Sequence, residues 1–230
     1  MIQERLKELR AQMQERGIDI YIVPTSDFHQ SEYVGEYFKA RKYMTGFTGS
    51  AGTAVITKEE AGLWTDGRYF IQAEKQLEGS TVKLFKMGEE GVPKVEEYVK
   101  DHLTEGSCIG FDGRVMDAKS GEKYAKMAEE KKAALYVKED LVGNIWKDRP
   151  QLPANKVWIL EDAYAGRNMA DKIADVRTQM QKEGADIHIL SSLYDIAWLL
   201  NLRGGDIDHV PVFLSFVSIV CVSSRLRCVL

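Results

Sequence analysis

Cysteine is nearly missing from this chain: there are three in 230 residues, at Cys108, Cys221 and Cys228. An odd and widely spaced set does not make a disulfide framework. An excess of one charge is lacking too, since 31 Lys and Arg stand against 35 Asp and Glu, for a formal net charge of −4. That balance suits neither a basic nucleic-acid binder nor an acidic tail. No apolar run is long enough for a bilayer. The longest, Val210 to Val222, falls short of the roughly 18 to 20 residues of a spanning helix and reads as buried strand. The opening residues, MIQERLKELRAQMQERG, are charged throughout, with no apolar leader core and no small-residue cleavage site. A secreted precursor is therefore not expected, and the chain reads as cytosolic. What is present is a content of 44% hydrophobic and 10% aromatic residues. This is enough for a real core and excludes intrinsic disorder.

Leu6, Leu9 and Met13 at helical spacing, closed by Gly17, predict a helix over 3–16, and IDIYIV at 18–23 predicts a strand that Pro24, Thr25, Ser26 and Asp27 turn into a loop. The same unit returns later. Leu6, Leu9, Met13 and Gly17 recur at one constant offset as Ile173, Val176, Met180 and Gly184, and AQMQERGIDIYIV is echoed by TQMQKEGADIHIL. This is an internal repeat. Strands predicted at 53–57, 61–64, 82–85, 108–111 and 135–137 alternate with helical patterns at 68–77, 93–102 and 117–132. The alternation makes an α/β fold with a mixed sheet flanked by helices. Asp148 to Pro153 breaks the periodicity and reads as a linker. The expected organisation is a first domain over 1–149 and a second copy of related fold over 155–230, shorter than the first and expected to be truncated.

Most segments that suggest chemistry fail on inspection. Ser50 sits in Thr48-Gly49-Ser50-Ala51-Gly52, where Thr48 replaces the first glycine of a nucleophile elbow. Gly46, Gly49 and Gly52 form neither a dinucleotide fingerprint nor a P-loop, and a tight turn explains them. No two of His29, His102, His188 and His209 have the spacing that puts two imidazoles on one helical face. Asp206-Ile207-Asp208-His209 is the densest ligand-like cluster, but in a loop after Arg203-Gly204-Gly205 its acids are expected to be solvated. In Trp64-Thr65-Asp66-Gly67-Arg68-Tyr69-Phe70, Asp66 can cap the next helix, Gly67 permits a close turn, and Arg68 falls on the first helical turn. From the residues alone this word is structural, with Arg68 as surface charge.

Five words occur in order: Ser31-Glu32-Tyr33; Tyr43-Met44-Thr45-Gly46-Phe47-Thr48-Gly49-Ser50-Ala51-Gly52-Thr53-Ala54; Trp64 to Phe70; Asn144-Ile145-Trp146-Lys147-Asp148-Arg149-Pro150; and Ile196-Ala197-Trp198-Leu199-Leu200-Asn201-Leu202-Arg203-Gly204. Together, over about residues 2 to 216, they resemble the three-domain Xaa-Pro aminopeptidases (aminopeptidase P) of the creatinase/prolidase "pita-bread" metallopeptidases. The resemblance implies two creatinase-type N-terminal domains. It also implies a cytoplasmic homodimer that releases the N-terminal residue from peptides with proline in second position. Two divalent metal ions, Mn2+ or Zn2+, are implied in a third, pita-bread domain. That domain is expected to be absent here. Accordingly no catalytic residue and no metal ligand is assigned in this chain, which is expected to bind no metal, to be inactive alone, and to supply gating and dimerisation. Arg68 is the implied substrate-binding residue, with Asp66 orienting its turn; burial of Arg68 in an interior salt bridge would contradict this. The expected partners are the peptide and a second copy, with no nucleic acid and no membrane. Two other readings stand beside this one: a non-catalytic peptide- or protein-binding module, and a prolidase or creatinase relative. Val212, Phe213, Leu214 and Val217 are expected to lack cover and to promote association, with Cys221 and Cys228 adding intermolecular oxidation if exposed.

Overall fold

The computed structural model describes residues 1–221 and 226–229. The chain divides into two units, Met1–Gln30 with Glu36–Pro150, and Ser31–Gly35 with Gln151–Leu230.

In the first unit, α1 (Ile2–Glu15) buries Leu6, Leu9 and Met13 on one stripe, and Gly17 takes a left-handed φ of 66° to turn the chain into β1 (Ile20–Pro24). There follow α2 (Ala40–Thr45), β2 (Thr53–Thr57), β3 (Ala61–Thr65), α3 (Phe70–Leu77), β4 (Val82–Lys86) and α4 (Val95–His102). The unit continues with β5 (Cys108–Gly110), α5 (Ala118–Glu130), β6 (Ala134–Tyr136) and α6 (Leu141–Ile145). The sheet runs β4-β3-β2-β1-β5-β6. Only β2 is antiparallel to its neighbours.

Side chains alternate across a strand, and both faces of this sheet are covered. Tyr21, Val23, Ala54, Ile56 and Leu63 join α1 in one core cluster. Ile20, Ile22, Val55, Trp64 and Ile109 join Val99 of α4 and Tyr124 of α5 in the other. Strands covered twice read as continuous apolar runs, which is why IDIYIV and TAVIT stand out in the sequence. Because β2 runs against its neighbours, the carboxyl ends of β1, β3 and β5 and the start of β2 share one edge of the sheet.

The second unit holds β7 (Trp158–Ile159), α7 (Asp162–Ala165), α8 (Met169–Glu183), β8 (Ile187–Leu190), α9 (Leu193–Leu200), β9 (Leu202–Arg203), β10 (Phe216–Val220) and β11 (Leu226–Val229). Asn168 caps α8 by accepting from the Asp171 amide, and Gly184, at φ 67°, ends it as Gly17 ends α1. β8 pairs antiparallel with β10, and β10 with β11, while β7 pairs with β9. Ile173, Met180, Ile196, Leu199, Phe213 and Ile219 form the core.

Several expectations need correction. The apolar run from Val210 is not one strand, because pairing in the sheet begins only at Phe216; Pro211 has no N–H to give, and Asp206 captures the Leu214 amide. Val212, Phe213 and Val217 are buried rather than uncovered, at 2%, 2% and 1% exposure. Among the described residues of this unit the exposed apolar side chains include Ile159, Tyr164 and, on β8, Ile187 and Ile189. Cys221 is buried; the side chain of Cys228 lies outside the described residues. Among the described residues no helix is long and apolar enough to cross a membrane.

Candidate functional site

The word Trp64 to Phe70 builds a turn at the carboxyl end of β3. Thr65, fully buried, donates its hydroxyl to the Ala51 carbonyl at 2.8 Å. Asp66 is extended, and its Oδ1 accepts from the Arg68 amide at 3.1 Å, capping the 3-10 turn Gly67–Tyr69 that leads into α3. The same carboxylate takes the guanidinium, Nε on Oδ1 at 2.8 Å and Nη2 on Oδ2 at 2.9 Å. Hydrogen bonding by Arg68 holds the Asp66 carboxyl below its ordinary range. Arg68 is thus ion-paired locally with 69% of its side chain exposed, not drawn into the interior. It stands on the 3-10 turn, two residues before α3 begins, and not on the first α-helical turn that the spacing over 68–77 predicted.

The glycine-rich word packs against this turn. A Cβ on Gly49 would stand 2.3 Å from the Phe47 ring and 2.9 Å from that of Tyr69, so no larger residue fits. Ser50 Oγ and the Tyr69 hydroxyl lie 2.7 Å apart. Thr48 receives the amides of Gln72 and Gln76 on its hydroxyl, at 2.9 and 2.8 Å, and gives its own N–H to Gln76. The two words are therefore tied together through Ser50 and Tyr69, the residue that follows Arg68.

Beneath it lies a residue that no sequence pattern singles out. Arg41, 3% exposed, donates Nε to Thr25 Oγ1 at 2.9 Å, Nη1 to the Phe47 carbonyl at 2.5 Å and Nη2 to the Gly49 carbonyl. Burial pushes its pKa down to about 10, which leaves it charged at neutral pH. Thr25 passes the network on, donating to the Gly52 carbonyl at 2.7 Å.

A second Asp-Gly-Arg word, Asp112-Gly113-Arg114, follows β5 on the same edge and closes identically, with distances of 3.1, 3.0 and 2.9 Å. Arg149 donates to Asp140 at 2.5 Å and to the Tyr37 carbonyl at 2.8 Å, and lies 3.8 Å over the Tyr37 ring. Trp146 stacks on Tyr43 at 4.6 Å. The word from Asn144 to Pro150 is thereby a fastening. So, in the second unit, is Asn201: it is left-handed at φ 51°, gives its amide to Asp162 and the Arg167 carbonyl, and accepts from buried Lys172 at 2.6 Å.

The ligand-like cluster does not fit a metal. Asp206 is buried, not solvated, and its two oxygens accept the Asn155 and Leu214 amides at 3.0 and 2.9 Å. Among the described residues no group of three His, Cys, Asp or Glu side chains is placed to hold a metal ion.

Comparison with known proteins places this geometry. Models of the creatinase/prolidase N-terminal domain match residues 5–138 and 148–228. The chain is 42% identical over 222 residues to aminopeptidase P2 of Arabidopsis thaliana, covering 94% of this chain and 31% of that protein. It is 44% identical over 227 residues to a probable Xaa-Pro aminopeptidase P of Pyrenophora teres f. teres, covering 96% and 34%. It thus spans about a third of the length of these curated relatives. A solved X-prolyl aminopeptidase from Caenorhabditis elegans, described as a cytosolic enzyme with a di-nuclear active site, superposes with a TM-score of 0.92 at 32% identity, covering 99% of this chain and 38% of that one.

Proposed function

Because the chain belongs to the creatinase/prolidase N-terminal domain family, we propose that it is the N-terminal, substrate-gating part of a cytosolic, dimeric Xaa-Pro aminopeptidase. In this reading Arg68 binds the peptide, and the two successive domains span 1–149 and 155–230. In the same reading the ligands of the two divalent ions, manganese or zinc, belong to another part of such an enzyme, and these 230 residues alone are expected to bind no metal and turn over no peptide.

The observation that carries the reading is the exposed guanidinium of Arg68, fixed at the sheet's carboxyl edge by a turn and a loop built from two of the five words. Open α/β sheets offer their ligand crevices at strand carboxyl ends. A planar, permanently charged donor fork suits a peptide oxygen.

The test is a titration of the 15N-labelled chain with an Xaa-Pro-Xaa tripeptide, followed by NMR. Shifts centred on Ser50, Asp66, Arg68 and Tyr69, weakened about tenfold or more in Arg68→Gln, are expected for loss of a charge-assisted bond of ~1.5–3 kcal/mol. Equal affinity in the variant would sink the assignment.

A further inference from the structure

Resting on the reading of Arg68 as a peptide-binding residue, we propose that Asp66 sets the specificity of that surface. Arg68 meets the peptide as half of a charge-neutral pair, which takes a backbone carbonyl and gives a free terminal carboxylate no advantage.

Asp66 is held in two ways. Its Oδ1 accepts the Arg68 amide as part of the turn, and both oxygens accept the guanidinium. The first bond belongs to the cap, so the carboxylate cannot swing aside for an incoming anion without opening the turn. A ligand carboxylate on the same guanidinium therefore approaches a fixed like charge, and like charges at such range repel. A carbonyl brings no charge and meets no such opposition.

The neighbouring groups match a neutral ligand. Arg68 lies 5.2 Å over the Tyr69 ring, and Tyr69 and its partner Ser50 present hydroxyls, able to donate or accept. The guanidinium of Arg41, in a side chain 3% exposed, is engaged by oxygens of Thr25, Phe47 and Gly49, and burial keeps it from a ligand. Asp112 and Arg114 show that the closure comes with the Asp-Gly-Arg word itself. There, however, the Asp is only 10% exposed, against 36% for Asp66, so the Asp66 pair is the more open of the two.

The experiment compares binding of one Xaa-Pro-Xaa tripeptide as free acid and as C-terminal amide, by NMR titration of the full chain. The wild type is expected to bind both forms within about twofold. Asp66→Asn keeps a capping oxygen but drops the charge, and is expected to move the ratio about fivefold toward the acid, the scale of one close charge in near-aqueous dielectric. Asp66→Ser, which also caps, repeats the test should the first variant fold poorly. Asp112→Asn should leave the ratio unchanged; a shift equal to that of the Asp66 variants would overturn the proposal, as a nonlocal charge effect. An acid preference of tenfold in the wild type, unchanged in Asp66→Asn but abolished with Arg68→Gln, overturns the role of Asp66 and leaves that of Arg68 standing. Binding of neither form, or no effect of Arg68→Gln, removes both.

Discussion

A buried guanidinium is costly unless its N–H groups find oxygens, and Arg41 finds three: the Thr25 hydroxyl and the carbonyls of Phe47 and Gly49. Arg41→Met leaves those acceptors without their donor, so the chain should lose about 3 kcal/mol or more in urea unfolding. A loss below ~1 kcal/mol would mean that the loop closes without the network. The Asp66 cap was legible because it is local chemistry, an Asp two residues before the amide it accepts, whereas Arg68 stood out only through the family resemblance. Arg41 was not legible, because its partners are backbone carbonyls several residues ahead and a hydroxyl just past another strand. No side-chain pattern announces such partners. The second Asp-Gly-Arg word could have been found by searching the chain for the first.

At the scale of elements, β3 and β4 meet through Trp64 and Phe85, stacked 3.9 Å apart. Gly62 leaves the space for that stack, since a Cβ there would stand 2.6 Å from both rings. Gly62→Ala should therefore cost ~1–3 kcal/mol by overpacking, read as a lower urea midpoint at unchanged m value. An unchanged midpoint would show that the rings can part freely. The helices and strands of the first unit were readable because α1 shows one apolar stripe and the strands are apolar on both faces. The run from Val210 misled for a physical reason: Pro211 and the carboxylate of Asp206 divert a backbone whose side chains are still buried. The repeat was legible as sequence, yet not as burial. Ile20 and Ile22 are each 1% exposed whereas Ile187 and Ile189 are 60% and 71%, because Val99 and Tyr124 of the covering helices pack on the face of β1 that carries the first pair, while the second pair joins no core cluster of the described residues.

For the molecule as a whole, the shifted carboxylates set the response to acid. Arg16 holds Glu139 below its ordinary 4.5, and Lys39 does the same for Glu36. Arg68 holds Asp66, and Ser120 holds Asp117, below 3.8. A carboxyl whose folded value lies below its unfolded one contributes fully above the unfolded value and loses that contribution as pH falls through the folded one. Tm should therefore be level from neutral pH to about 5 and fall below about 4, with a shallower fall in Arg16→Gln; a Tm that rises on acidification contradicts this. In the reading proposed above, these 230 residues present peptide through Arg68 and leave the metal chemistry to other parts of such an enzyme. It is tested most directly by a manganese titration in a calorimeter, with release of the N-terminal residue from an Xaa-Pro-Xaa peptide followed in the same sample. Neither stoichiometric metal uptake nor release is expected. Uptake together with release would contradict it and make Asp206, Asp208 and His209 the first ligands to mutate.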